Sequence, residues 1–304
     1  MKNILTILCL LLTAGIIRAQ QLPLSTQFEE NRNLLNPASC GIKTGLLQAG
    51  ALYRYQWLNM DNAPRTAGFN ATMNFGTMGA GLVFISDKAG IYDQKLIHGQ
   101  YAYCIPLNEN DLNLSFGISA GAIISGISAA DITVYDPSDP LVLNQQLKNT
   151  TIPDANVGAM IFKQDKFYAG LSAMHLVEAK LNKNIAGTLA GHYYMIGGAT
   201  IPTSETFSIQ PSLMMRYVSK APVLAEIQTR ALLKKMYSFG LMYRTCNDLG
   251  FNIGLNIGKN VFFGYAYELS LSPLKSYHNN THELTLFYKL QKDNSSTDSN
   301  SPSN

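Results

Sequence analysis

The residues best suited to metal chemistry lie in one polar stretch near the middle of the chain. Asp131, Asp136 and Asp139 stand close together in the segment DITVYDPSDP. Carboxylates at this spacing could supply oxygen ligands to Ca²⁺. Asp and Pro are also among the residues that most often form turns. We favour the turn and keep an ion site as the alternative.

The five histidines form no pattern typical of a metal or catalytic site. His278 and His282 are four residues apart, but the local pattern predicts a loop followed by a strand. No helix therefore places them on one face, and we expect the histidine side chains to be solvated. The remaining histidines are His98, His175 and His192.

No enzyme signature is recognisable in the sequence. It contains no GxSxG, HExxH, P-loop or dinucleotide fingerprint, and no carboxylate pair can be singled out for acid–base catalysis. Cys9 lies in an apolar amino-terminal stretch, and Cys40, Cys104 and Cys246 are too widely spread for a disulfide framework or a zinc site. We predict a non-enzymatic protein with no cofactor, no metal and no catalytic residues.

The composition indicates a surface that faces lipid. Of the 304 residues, 46% are hydrophobic, which excludes a disordered chain, and only 14% are charged, against roughly 25% in ordinary soluble domains. A water-exposed surface needs more charge than this. The net charge of +3 is too small to indicate a nucleic-acid partner.

The amino terminus has the features of a secretory signal peptide. Lys2 provides the positive start, residues 4–12 form a short apolar core, and Ala19 is a small residue at a cleavage site. Because Cys9 lies inside the core and not after it, lipidation is not expected. We predict a signal peptide at 1–19 and a mature chain that starts at Gln20.

Beyond residue 19 the dominant pattern is alternation with period two. No apolar run is long enough for a membrane-spanning helix. In 112–120, 249–257 and 261–271, apolar residues alternate with Gly, Asn, Ser and other small or polar residues. Successive strand side chains point to opposite faces, so each segment has one apolar face. A second face with so little charge fits the lumen of a membrane barrel better than a water-exposed sheet.

These segments predict an all-β, up-and-down antiparallel transmembrane β-barrel of about fourteen strands, an even number as in bacterial single-chain barrels. The alternative is a soluble sandwich or lipocalin-like barrel with its apolar face inward. The predicted strands are 45–57, 66–75, 78–86, 95–105, 111–122, 154–163, 166–173, 187–200, 205–218, 222–231, 235–245, 248–258, 260–271 and 281–290.

The connections predict which end of the barrel faces outward. Those after even-numbered strands are short, as at Gly76-Thr77, Gln164-Asp165 and Lys259. Short periplasmic turns and longer outer loops are the habit of these barrels. The connections predicted as long outer loops are 58–65, 87–94, 123–153, 174–186 and 272–280.

The predicted organisation is completed by the segments that flank the barrel at 45–290. Residues 20–44 form a polar, turn-rich segment, which we predict to be a periplasmic lead-in. Residues 291–304 contain no apolar side chain and are predicted to be disordered. Tyr53, Tyr55 and Trp57 end the first strand, where they would join an aromatic girdle at the membrane interface.

Several stretches together resemble the PorP/SprF family, outer-membrane proteins of the type IX secretion system in Bacteroidetes. Ser39-Cys40, where the family usually has an aromatic residue, and the polar tail depart from it. The resembling stretches, in family order, are LLNPASCG (34–41), YRYQW (53–57) with the following Pro64-Arg65-Thr66, GAGLVFISDKAG (79–90), YAYCIPL (101–107), LSFGISAG (114–121), FYAGLSAMHL (167–176), YRTCNDLG (243–250), GYAYELSLSPL (264–274) and THELTLFYKL (281–290).

The resemblance implies a cell outer-membrane location and a role without catalysis. Family members help to export, or hold at the cell surface, large proteins with type IX C-terminal signals. Some serve gliding adhesins, and others anchor periplasmic, peptidoglycan-linked parts of the machine. The implied partners are outer-membrane lipid, an exported protein and those periplasmic parts. The loop predicted at 123–153 is the candidate docking surface, because long loops on a rigid scaffold tend to carry function. The alternative functions are a passive porin or hydrophobic-solute transporter and a surface enzyme.

Overall fold

The computed structural model describes residues 24–42, 46–108, 111–127, 149–177, 189–219, 221–245, 247–271 and 280–290. Within these ranges, no helix is long and apolar enough to cross a membrane. Two 3-10 turns, η1 (Arg32–Leu34) and η2 (Pro37–Ser39), precede the strands. The strands are β1 (Leu47–Tyr55), β2 (Arg65–Asn74), β3 (Met78–Ala89), β4 (Tyr92–Pro106), β5 (Leu112–Ile127), β6 (Thr150–Lys163), β7 (Phe167–Met174), β8 (His192–Ala199), β9 (Ile201–Pro202), β10 (Phe207–Val218), β11 (Leu224–Leu233), β12 (Tyr237–Arg244), β13 (Asp248–Ile257), β14 (Val261–Ser270) and β15 (Thr281–Leu290).

The strands close into a ring. Each pairs antiparallel with its neighbour in sequence, and β1 also pairs with β15, where Leu47 lies opposite Leu290. β8 and β9 are two parts of one barrel strand, because both pair with β10 in a single register interrupted only at Ala199 and Thr200. The fifteen segments therefore form a fourteen-stranded barrel, which confirms the predicted up-and-down topology.

The wall of the barrel is apolar outside and polar inside. On β5, Phe116 and Ile118 are exposed, whereas Ser115 and Ser119 are buried. The same alternation holds on β13, where Phe251 is exposed and Asn252 is buried. A continuous belt of large hydrophobic side chains on the outside fits hydrocarbon. This excludes the alternative of a soluble barrel with its apolar face inward.

The two ends of the barrel differ. At one end, which we call the turn end, strands are joined by short connections such as those after β2, β6, β11 and β13. At the other, which we call the loop end, longer connections at 56–64, 175–191 and 271–280 alternate with short ones. The predicted asymmetry is confirmed. That the turn end faces the periplasm stays a prediction from this asymmetry.

Two loop predictions were wrong at their edges. The connection predicted at 87–94 is a tight hairpin, because β3 and β4 extend until only Gly90 and Ile91 lie between them. Gly90 has a φ of 60°, a conformation that glycine adopts at little cost. The loop predicted at 123–153 is likewise shortened, since β5 continues to Ile127 and β6 begins at Thr150. Its centre, with Asp131, Asp136 and Asp139, lies outside the described residues.

The amino-terminal segment lies inside the ring. Residues 24–42, which we call the inner strap, contact the inner wall from Glu283 near the loop end to Gly79 at the turn end. Thr26, Asn31 and Asn36 are fully buried. The described part of the predicted lead-in at 20–44 is therefore an integral part of the barrel interior. The physical reason is that its polar groups find partners on the polar inner wall.

Candidate functional site: the filled lumen

A network of buried charges lines the lumen near the loop end. Arg54 binds Glu268 at 2.6 Å and Glu283 at 3.2 Å. Arg244 binds Glu226 at 2.7 Å and the same Glu268 at 3.0 Å. All five side chains are nearly inaccessible to solvent. Two arginines and three carboxylates thus form one connected system, as buried charges require.

The start of the inner strap is bound by this network. The Glu283 carboxylate accepts hydrogen bonds from the Ser25 hydroxyl at 2.7 Å and from the backbone N–H groups of Thr26 and Gln27 at 2.9 and 3.1 Å. The Thr26 hydroxyl donates to Glu268 and accepts from Arg54. The charge network therefore serves as the receptor for residues 25–27.

Further along the strap, side chains of the inner wall pair with its backbone carbonyl groups. Such pairing satisfies groups that would otherwise be buried without a partner, and it comes from strands on several sides of the ring. The contacts are Gln228 Nε2 to the Thr26 oxygen at 2.9 Å, Gln100 Nε2 to Asn33 at 2.8 Å, Ser172 Oγ to Leu35 at 2.5 Å, Ser115 Oγ to Ala38 at 2.7 Å and Asn74 Nδ2 to Gly41 at 2.7 Å.

The NPASCG segment at 36–41 is seated against glycines of the wall. A Cβ atom at Gly158 would overlap the side-chain oxygen of Asn36, and one at Gly117 would overlap the backbone of Ala38. Asn36 also caps η2 by accepting from the Ala38 N–H at 2.9 Å, and it donates to two carbonyl oxygens of β6 and β7 at 3.1 Å. The wall has glycine where the strap touches it, so the strap and the wall fit closely.

Ion pairs fix the middle of the strap to the turn-end half of the wall. Glu30 contacts Arg230 at 3.1 Å and Lys289 at 3.6 Å. Burial alone would raise the pKa of Glu30, but the Lys289 and Arg230 cations outweigh burial and lower that pKa to about 2. Glu30 is therefore ionised at neutral pH and holds the strap electrostatically.

A recess of about 230 Å³ remains at the turn end, between the strap and the wall. Glu30, Arg32 and Tyr168 line it, together with Lys163 and Lys166 of the β6–β7 hairpin. Arg32 stacks over the Tyr168 ring at 4.1 Å. The recess leads from the turn end into a lumen occupied by the strap.

Three of the histidines were predicted to be solvated, and that prediction was wrong. His98, His175 and His192 are buried in the loop-end half of the lumen. His98 and His175 contact the same Asp154 oxygen, at 3.1 and 2.8 Å. Asn156 links them, through His98 Nδ1 at 2.9 Å and the His175 N–H at 2.8 Å. The cluster joins strands β4 and β6 to the segment after β7.

The other predicted residues fall in two groups. His282 is half-buried on the outer face, where it contacts Tyr265 at 2.8 Å. Tyr53 is exposed on the same face, as an aromatic girdle requires.

Cys40 is buried in the strap and Cys104 is half-buried in β4, both as free thiols. Within the described ranges, no cluster of His, Cys, Asp and Glu is arranged to bind a metal ion. His278 and Cys246 lie outside the described residues.

Sequence reasoning missed the charge network and the strap's role. Arg54, Glu268 and Glu283 each interrupt a run of small or apolar residues at a lumen-facing position. A charged residue at such a position is the signal that could have indicated an occupied lumen.

Fold and filled lumen together define an outer-membrane-type β-barrel with an internal plug. The chain belongs to the PorP/SprF family of type IX secretion system membrane proteins, whose family model matches residues 17–288. The suspected family is confirmed, and with it the outer-membrane location. No curated protein matches the chain significantly.

Solved structures with the same fold are also outer-membrane proteins. Omp33 of Acinetobacter baumannii is 10% identical, with a TM-score of 0.50, over 82% of this chain and 99% of that one. The CymD monoaromatic hydrocarbon channel is 10% identical, with a TM-score of 0.52, over 89% and 94%. The toluene transporter TodX of P. putida is 5% identical, with a TM-score of 0.50, over 84% and 93%. At these identities the likeness shows the fold alone.

Proposed function

We propose that this protein is a non-enzymatic component of type IX secretion that binds or anchors an exported surface protein, periplasmic parts of the machine, or both. The observation that carries the proposal is the filled lumen. The inner strap is held by buried ion pairs, by side chains from several strands and by glycine-lined hollows. A barrel closed in this way offers its two ends to partners rather than a channel.

The two ends supply different surfaces for this role. Lipid holds the apolar outer wall, and the connections at the loop end would meet an exported protein. The connection at 128–148, between β5 and β6, is the leading candidate because it is the longest and leaves the most extended strands of the barrel. The turn end, with its recess, would meet the periplasmic parts.

Affinity purification from outer membranes, followed by mass spectrometry, tests the proposal. We expect a large protein with a type IX C-terminal signal, or peptidoglycan-linked components, to co-purify with the intact chain. Replacing 128–148 with a short turn should abolish retention of the exported protein, whereas replacing 272–279 in the same way serves as the matched control. Undiminished retention in the first variant would contradict the role of that loop.

A passive porin or hydrophobic-solute transporter is the second candidate. The fold is shared with the monoaromatic hydrocarbon channel CymD and the toluene transporter TodX, and the recess at the turn end could admit a small solute. Planar bilayers discriminate the two functions. A porin conducts ions steadily, whereas a barrel filled by its strap should show no such conductance.

A further inference from the structure

On the outer face of the described strands, charged residues are few and most of them lie in one place. Along all strands, the outward-facing charged residues are Arg65, Lys88, Asp93, Lys95 and Lys163. The first four lie together at the loop end of the adjacent strands β2, β3 and β4. Lys163 lies alone at the turn end of β6. Because scattered surface charges would not concentrate on three neighbouring strands, the grouping calls for a local cause.

The four residues form a compact patch. Arg65 lies directly opposite Lys88, and Lys88 lies directly opposite Asp93. Lys95 contacts Asp93 at 3.9 Å, with both side chains about half exposed. The Arg65 guanidinium lies 4.6 Å above the Tyr55 ring and donates to its hydroxyl at 3.0 Å. Three cations thus lie close to the Asp93 carboxylate, and Lys88 has a further partner of its own.

The arrangement brings cationic side chains of neighbouring strands close together. Like charges directly opposite on neighbouring strands destabilise a sheet, and Arg65 and Lys88 are such a pair. Opposing residues are about 5 Å apart at Cα, so a single anion can reach both side chains. An anion bound there would attract both cations.

The position of the patch indicates the kind of anion. On the same three strands, the exposed side chains of Phe69, Phe84 and Ile97 follow the patch towards the middle of the barrel. Charged residues on the lipid face are costly at the bilayer midplane but nearly free at its interfaces. The patch therefore lies at the level of the headgroups, directly above side chains that contact acyl chains.

We propose that this cationic patch binds the phosphate groups of the anionic glycolipid of the outer leaflet, the lipid A part of lipopolysaccharide. Arginine presents a planar fork of donors that matches phosphate oxygens, and Tyr55 holds the Arg65 fork in place. Lys88 and Lys95 add point charges on flexible stems that lie along the wall. The apolar residues below the patch would contact the acyl chains of the lipid. A free phosphate ion would not need such apolar residues.

The test measures binding of purified bis-phosphorylated lipid A to the full chain in detergent micelles. In the R65Q/K88Q/K95Q variant, the loss of three cations should weaken binding on the order of 100-fold. The K163Q/K234Q/K235Q variant removes as many cations at the turn end and should bind as the wild type does. The charge-preserving R65K/K88R/K95R variant should also retain binding, and heat-modified mobility on gels verifies folding of each variant.

Two further arms identify the source of the phosphate. Binding of dephosphorylated lipid A to the wild type should be as weak as binding of intact lipid A to R65Q/K88Q/K95Q. Inorganic phosphate at the same concentration should not displace lipid A. The proposal is overturned if R65Q/K88Q/K95Q binds lipid A normally, if the turn-end variant loses as much affinity, or if inorganic phosphate displaces the lipid.

Discussion

At the scale of residues, the lumen shows how a membrane barrel accommodates charges far from bulk water. Glu268 accepts hydrogen bonds from both Arg54 and Arg244, and Glu226 and Glu283 complete the network at its edges. A buried pair contributes little stability by itself, but removing one partner leaves an uncompensated charge. The network is therefore more important for holding one structure than for adding stability.

Glu268→Ala tests this view. The change leaves two arginines short of a partner, so it should lower the free energy of unfolding by about 3–5 kcal/mol. Urea unfolding in micelles, followed by fluorescence of the single tryptophan, gives the value. Glu205→Ala removes an exposed carboxylate and should change it little. Equal effects for both variants would contradict a structural network.

At the scale of elements, the strands could be predicted because hydrocarbon imposes strict alternation on them. All fourteen predicted strands are present. The prediction ended β3 too early, since Lys88 carries charge where the apolar pattern of the outer face should continue. Beyond the hydrocarbon the outer face need not be apolar, so the sequence there no longer distinguishes strand from loop.

The inner strap could not be predicted in the same way. The 3-10 turns of the strap show no hydrophobic periodicity. Its polar residues, such as Thr26, Asn31 and Asn36, are typical of a solvated loop. They are buried because the wall supplies partners from strands distant in sequence, such as Ser115 and Gln228. This complementarity exists only in the closed ring, so the sequence of the strap contains no local pattern that predicts it.

The fit between strap and wall predicts the effect of adding one methyl group. Gly158→Ala places a Cβ against the Asn36 side chain, and such overpacking typically costs about 1–3 kcal/mol. Gly99→Ala is the matched control, because its Cβ would meet no atom closer than 3.9 Å. Urea midpoints compare the two. A Gly158→Ala protein as stable as wild type would show that the strap is loosely held.

The anchoring of the strap by Glu30 predicts a pH dependence. The folded pKa of about 2 lies below the ordinary value of 4.5. A lowered pKa contributes stability above pH 4.5 that is lost as the pH falls towards 2. Wild type should therefore lose more stability than Glu30→Gln over this window, by up to about 3 kcal/mol. Parallel pH profiles from acid unfolding would contradict the ion-pair anchor.

At the scale of the whole molecule, the strap has a defined direction through the barrel. Ser25 and Thr26 bind Glu283, the third residue of β15 from the loop end. From there the strap runs to Gly41, which contacts Gly79 at the turn end. The strap therefore crosses the lumen from the loop end to the turn end, where β1 begins.

An epitope inserted immediately before Leu24 tests this arrangement. Antibody should reach it in intact cells, from the same side as an epitope placed in the loop at 128–148. An epitope in the β2–β3 turn at Gly76 is the control for the opposite side and should be reached only after the outer membrane is opened. Labelling of the Leu24 epitope together with the Gly76 epitope would contradict the direction of the strap.

The enclosed strap has a consequence for how such a protein can be made. The start of the inner strap rests on Glu283 of the last strand, and the ring closes where that last strand meets β1. If the ring closed first, the charged strap would have to enter a lumen whose shape already matches it. We therefore expect the strap to lie inside the open sheet before the last hairpin closes the ring, so that the strap acts as a template for that hairpin.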